Sequence, residues 1–414
     1  MSALDAERFH SLVLANIENP YPVYQRFRES AGLHRVLRPG SGREPEWLVM
    51  RYGDASTVLT GRGFGRGAAA AAGSSAPLSA SLAGGCPTLG AFVDNWLVFM
   101  DPPRHTAVRA VVADCLAQRI QEGLAERARD IVGELVADLA DNSRIELVGD
   151  YATVVPMLVI LEALGVPRTD WTWMCGRTAA LQQASTFRPG NRAQRLAAAE
   201  DAAHDFDEYF RRILSSRRRA PGNDLISALV AASWSDGEGA DDLLVATCVH
   251  LLASGNETMR TALSKIVLLL LRHANLLDRL LDQPRLVPAA VDELIRFDSP
   301  AQMVTRWAYR DACVGGRDIH RGDKVTVVLG SANRDPASFP DPDVIRLDRR
   351  NRRHCGFGMG IHYCLGSALG RMETEIGVGA IVKLLPRLRI DGEQLVYGED
   401  LIFHGPLELW LRRV

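Results

Sequence analysis

The stretch that most constrains this chain is FGMGIHYCLG, residues 357–366. Three glycines, a histidine and a cysteine fall within ten residues, directly before a helical pattern free of proline until Pro386. A cysteine presented at a helix N-terminus meets the positive end of the helix dipole and free backbone N–H groups, which lower its pKa and favour thiolate. Gly358, Gly360 and Gly366 allow positive φ and close approach of backbone to a flat ligand, and Phe357 can pack against that ligand. The loop therefore reads as a seat for a thiolate beneath a metal, against the plainer reading of a buried cysteine in a glycine-rich turn. A zinc site is a further option, since His354, Cys355, His362 and Cys364 are all possible ligands. Their spacing lacks the paired C-x-x-C knuckles of structural zinc sites.

The rest of the chain sets bounds on what that seat serves. Its 414 residues permit two or three domains or one large one, and 47% hydrophobic with 24% charged residues is ordinary for a globular enzyme. Lys and Arg total 48 against 50 Asp and Glu, a net charge of −2, so no basic surface argues for nucleic acid. The amino terminus holds no apolar run long enough to span a bilayer, and the seven scattered cysteines form no disulfide framework. These features predict a soluble, cytoplasmic protein without a membrane anchor.

Along the chain, residues 19–31 predict a short amphipathic helix and residues 33–38 and 46–52 predict strands, with Gly40 and Gly42 at the turn. From Gly65 to Gly85 the sequence is low in complexity and reads as a loop, with Arg66 either a solvated charge or a contact for an anionic substrate. Asp101-Pro102-Pro103 starts a helix on which His105 and Arg109 share a face. Residues 117–141 and 154–165 are helical by periodicity, and residues 181–191 break a helical region. Residues 242–272 form the longest helical pattern, about 45 Å at 1.5 Å per residue, apolar on most faces and so expected to cross the core. Ser254-Gly255-Asn256-Glu257-Thr258-Met259 interrupts it, and polar groups in a buried helix are costly unless paired or used. Glu293 and Arg296 are spaced to pair on one helix. Residues 313–330 and 387–414 read as strands, the latter with a turn at FHGP whose tip is a candidate substrate contact.

Phe357-Gly358-x-Gly360-x-His362-x-Cys364-x-Gly366, with Leu369 and Arg371 after it, resembles the heme-binding signature of the cytochrome P-450 superfamily. Gly370 stands where that signature usually has alanine. The resemblance implies a mainly α fold with a minor β region and a long central helix over the heme. It implies one domain over 1–414, with a β-containing lobe mainly at 30–60, 300–330 and 387–414, and a helical lobe mainly at 100–300 and 365–385.

The same resemblance assigns roles residue by residue. Cys364 is the ligand of heme b iron; His105, Arg109, Arg306 and His362 contact the propionates; Gly255 opens room for dioxygen, and Glu257 and Thr258, beside Asn256, deliver protons. Asn256 replaces a frequent histidine and Met259 a second threonine. Glu293 and Arg296 match a buried pair that braces the core, and residues 65–85 and 181–191 correspond to segments around the distal face. The implied activity is monooxygenation of a small-molecule substrate by dioxygen and two electrons, drawn from a separate ferredoxin and ferredoxin reductase docking near Arg104, Arg352, Arg353 and Arg371. VDNWLVFMDPP, LQQAST, VTRWAY and FHGP further resemble bacterial natural-product enzymes, the aryl-coupling member of indolocarbazole formation in particular. They imply an aromatic, indole-derived, anionic substrate that is hydroxylated or coupled. A heme-based sensor is the non-enzymatic alternative, and it needs no proton delivery.

Overall fold

The structure is a computed structural model that describes residues 9–37, 45–67, 71, 73, 85–184, 191–232, 234, 239–392 and 395–414. The expected turn at Gly40 and Gly42, most of the loop between residues 65 and 85, and most of the break at 181–191 lie outside the described residues.

The longest element is the helix Ala240–Arg272, 33 residues, here called the central helix. Gly239, at φ +100°, turns the chain into it; Asp241 and Asp242 occupy its first turn and Arg272 its last, each charge favourable to the dipole. Residues 243–249 and 261–270 are buried, as the apolar pattern predicts. Between them, residues 250–260 alternate between buried and accessible positions, and Ser254 is exposed. An accessible window in the middle of a core helix marks an internal cleft. The central helix packs against the helices Pro87–Asn95, Val154–Leu164, Arg192–Arg219 and Ser367–Ile381, the last being the one that follows the cysteine loop.

The β region is small, as expected. A five-stranded sheet has the order β1 (Leu33–Leu37), β2 (Pro45–Val49), β8 (Lys324–Val328), β5 (Met303–Ala308), β3 (Phe64–Gly65). All its pairings are antiparallel except β2 with β8. A second sheet joins β4 (Arg144–Glu146), β12 (Trp410–Arg413) and β9 (Leu388–Ile390), and two ribbons pair β6 (Ala312–Val314) with β7 (Arg317–Ile319) and β10 (Val396–Tyr397) with β11 (Pro406–Glu408).

Two boundaries differ from expectation. The strand expected to Tyr52 ends at Val49, and Tyr52 opens a helix to Thr60. Its first N–H is capped at 2.9 Å by Asp335 Oδ2, a partner from across the sequence. The helix expected over 117–141 is two, Arg104–Arg119 and Ala125–Ala140, separated at Gly123 with φ +93°.

The FHGP turn is built into the core. His404 is 3% exposed, and its Nδ1 lies 2.9 Å from Lys265 Nζ, which also meets Asp298 Oδ1 at 2.5 Å and donates to the Ser299 carbonyl at 3.0 Å. His404 therefore ties the carboxyl-terminal hairpin to the central helix.

Candidate active site

The cysteine loop closes on itself before its helix begins. Cys364 N–H donates to the Phe357 carbonyl at 2.8 Å, and the helix Ser367–Ile381 starts after Gly366. Gly358 and Gly360 adopt φ +72° and +70°, and a Cβ on Gly360 would stand 2.3 Å from the Leu59 carbonyl oxygen. Gly366 differs from expectation: its φ is −82°, so it serves as the helix cap, and a Cβ there would meet nothing within 4 Å.

Cys364 is exposed by surface area yet set deep among protein atoms, as a side chain on the wall of an internal cleft is. The depth corrects the expectation of a lowered thiol pKa. Burial pushes it up, outweighing the Gly366 N–H and the Arg109 and Arg371 guanidiniums that favour thiolate. A cation bound against the sulfur would invert that balance.

The four zinc candidates do not converge. His354 lies 3.2 Å from Asp292 Oδ1 and accepts the Gly356 N–H at 3.1 Å; Cys355 is buried with its sulfur 3.0 Å from Asn333 Oδ1. Among the described residues no three His, Cys, Asp or Glu side chains group to hold a metal ion.

The predicted propionate residues do converge. His105, 1% exposed, sets its ring 4.3 Å from that of His362, while Arg109 Nη2 donates to the Tyr363 carbonyl at 2.7 Å. Both ring nitrogens of His105 and Nε2 of His362 are buried without a hydrogen-bond partner among the described residues. Burial, then Arg306, His105, Arg66 and Arg109, drive the His362 imidazole down to about 2. Burial and then the Arg66 charge pull the Arg306 guanidinium down to about 9. Arg66, read from sequence chiefly as a solvated charge, is thus a fifth member of this cationic cage.

On the central helix, Ser254 Oγ donates to the His250 carbonyl at 2.6 Å, whereas Thr258 Oγ1 lies 3.5 Å from the Ser254 carbonyl, at the limit of a bond. Thr258 therefore makes only a weak return contact. Glu257 Oε1 lies 3.4 Å from Arg260 Nη2, Asn256 is buried, and a Cβ on Gly255 would meet nothing within 4 Å outside its own helix. One turn earlier the His250 ring stacks on Trp96 at 5.5 Å and 15°, and Trp96 on Phe99 at 6.3 Å and 20°. Burial lowers His250 to about 4, so it is neutral at ordinary pH. Sequence reading missed this aromatic run, although His250 precedes Ser254 by one turn of the same helix.

Glu293 and Arg296 form a forked pair, 2.8 Å on both arms. Arg349 joins Glu293 at 3.1 and 3.2 Å, a third member the sequence pattern did not identify. Of the suggested docking charges, Arg104, Arg352 and Arg353 are exposed. Arg371 is half-buried, its Nε donating to Asp292 at 3.1 Å and its guanidinium 4.2 Å from the Phe357 ring centroid.

The chain matches the Cytochrome P450 family model over residues 178–385. It is 35% identical over 393 residues to a mycinamicin IV hydroxylase/epoxidase of Micromonospora griseorubida, covering 93% of this chain and 94% of that protein. Similarity to the cytochrome P450 monooxygenase PikC of Streptomyces venezuelae is 33% over 397 residues, covering 93% and 89%. Among solved structures, P450BioI in complex with an acyl carrier protein ligated to hexadec-9Z-enoic acid superposes with a TM-score of 0.85 at 27% identity, covering 96% of this chain and 99% of that one.

Fold and relatives together define a heme-dependent oxygenase of mainly α architecture. The chain belongs to the cytochrome P450 family and is a heme monooxygenase that acts on a small molecule with electrons from redox partners. The residues present fit that cofactor. Among the described residues, three buried ring nitrogens without a partner and two crowded arginines are chemically suited to an anion, beside a cysteine on the cleft wall. No helix among the described residues is long and apolar enough to cross a membrane.

Proposed function

We propose that the whole chain works as one P450 domain in which Cys364 ligates the iron of heme b. Phe357, Gly358 and Gly366 lie on the thiolate side, Gly255 on the other, and His105, Arg109, Arg306 and His362 hold the propionates. A thiolate-ligated heme supplies dioxygen activation, because the thiolate pushes electron density to iron and favours O–O cleavage. The chain's part is to hold groups in place and to move protons. The Thr258 hydroxyl, held only weakly by the Ser254 carbonyl, is available to donate and accept; Glu257, engaged with Arg260, supplies the proton through water, and buried Asn256 steadies the turn between them. Exposed Arg104, Arg352 and Arg353 suit an acidic ferredoxin served by its own reductase, in contacts that act on association rate.

The observation that carries this reading is the single cysteine on the cleft wall, closed into its loop by the Phe357 carbonyl and faced by the cationic cage. The ferrous carbon monoxide complex is expected to show the strongly red-shifted Soret band of thiolate ligation, and Cys364→Ser to lose it. A wild-type protein without that band overturns the assignment.

For the substrate, the Trp96, Phe99 and His250 stack beside the accessible window supports an aromatic natural product. Bis-indole dicarboxylic acids are the first candidates, and a titration read by heme spin state tests them. A product that gains one oxygen means hydroxylation; one that loses two hydrogens means ring coupling. No spectral response to any of these acids discards the indole reading.

A further inference from the structure

The cage holds one guanidinium more than the motif pattern requires. Arg66 directly follows β3, and extending the β3–β5 register by one residue from Gly65 and Trp307 sets it opposite Arg306. Arg66 Nη1 donates to the Thr305 carbonyl at 2.5 Å, and Arg306 Nη1 donates to the same oxygen at 2.9 Å. Arg66 Nε donates to the Val98 carbonyl at 2.9 Å, and its guanidinium lies 5.4 Å from the Phe99 ring centroid. Two like charges gathered on one carbonyl oxygen repel each other, and more strongly where water is scarce.

The neighbouring acid relieves them only in part. Asp101 accepts the backbone N–H of Arg66 at 3.1 Å, that of Gly67 at 3.2 Å, and the Tyr309 hydroxyl. Two guanidiniums, Arg66 and Arg306, thus share one carboxylate already engaged with other donors. The arrangement is built by local sequence. A Cβ on Gly65 would stand 2.2 Å from the Tyr309 ring, so only glycine lets that ring cross the strand and bring its hydroxyl to Asp101 and Gly67 N–H, the latter at 2.7 Å. With the backbone fixed on both sides, the Arg66 side chain is directed into the cage.

We propose that Arg66 is a fifth ligand of the anionic edge of the cofactor, sharing a propionate carboxylate with Arg306, and is not a contact for an anionic substrate. The inference rests on the heme assignment above. Its guanidinium hydrogens not spent on the two carbonyls supply the charge-assisted bonds, and the pull of burial on the Arg66 pKa agrees with a cation held ready for an anion.

Holoenzyme carrying Arg66→Gln tests this, with Arg66→Lys as the conservative partner. Heme transfer to an excess of apomyoglobin should be faster by about tenfold or more in Arg66→Gln, as expected for a lost bond to a charged group. The propionate bending band in the resonance Raman spectrum should shift. Arg66→Lys should restore most of the retention, and it keeps the test open if the glutamine variant does not fold. Substrate affinity, read by spin state, should change less than about twofold. Unchanged heme retention and an unchanged propionate band overturn the proposal, as does a tenfold loss of affinity for an anionic substrate with normal heme retention. If the heme assignment itself is wrong, the wild-type protein shows no heme to transfer, a result distinct from either.

Discussion

Two buried clusters of charge in this protein differ in whether they are satisfied. In the first, Arg296 forks onto Glu293 and donates to the Asn333 and Pro342 carbonyls, while Arg349 reaches Glu293 and the carbonyls of Pro340, Asp341 and Val344. In the second, among the described residues, His105 and His362 leave three ring nitrogens unpartnered, and Arg306 donates only to its neighbour's carbonyl. A buried donor without a partner forfeits about 1–3 kcal/mol, so a fold retains such groups where something else is bound. In sequence the two looked alike, each a charged pair three or four residues apart on a helix. The difference separates a brace that satisfies itself from a cluster whose open donors suit the anion site proposed above.

The largest test strikes the brace. Glu293→Gln keeps shape but leaves Arg296 and Arg349 buried without a counter-charge, an expected loss of about 3–5 kcal/mol in urea unfolding followed by circular dichroism. The pH dependence has a definite sign. Burial raises the Glu293 carboxyl, but Arg296, the Arg346 N–H and Arg349 together hold it below the usual range. Its stabilisation is present above the unfolded value of about 4.3 and is lost as pH falls below that toward the folded value. The acid slope should be shallower in the variant. A variant within about 1 kcal/mol of wild type would mean that the brace is ornamental.

The cage should answer the opposite way. Arg306→Gln removes a charge that burial and Arg66 already disfavour. Its expected cost is below about 1 kcal/mol in the same unfolding measurement, yet heme transfer to apomyoglobin should accelerate about tenfold or more. Equal damage to stability from both variants would make the cage a second brace and erase the distinction.

What the sequence revealed follows the same division between local and distant. The thiolate loop and the central helix were legible because each is a continuous pattern. Tyr52–Thr60 was not, because its capping carboxylate is Asp335. Arg349 was missed, and Arg66 was read only as a solvated charge or a substrate contact, for a like reason: each becomes part of a cluster only when the fold brings a distant carboxylate or a second arginine beside it. The Cys364 pKa was misjudged because the helix terminus is visible in sequence and burial depth is not.

The smallest expected effect concerns shape instead of charge, and two departures from the family signature that turn out to touch. A Cβ on Gly370 would stand 3.1 Å from Met259 Sδ and 3.9 Å from Phe357 Cε1, so the methionine on the central helix fills room that an alanine would need. Gly370→Ala alone should gain about 0.5–1 kcal/mol of helix propensity and lose about as much to crowding, for a net change near zero. In the Met259→Thr background the crowding disappears and the same substitution should show its full gain. Thermal unfolding of the four proteins measures the coupling, expected at about 0.5 kcal/mol or more. Additive changes would mean that Met259 yields freely to the added methyl.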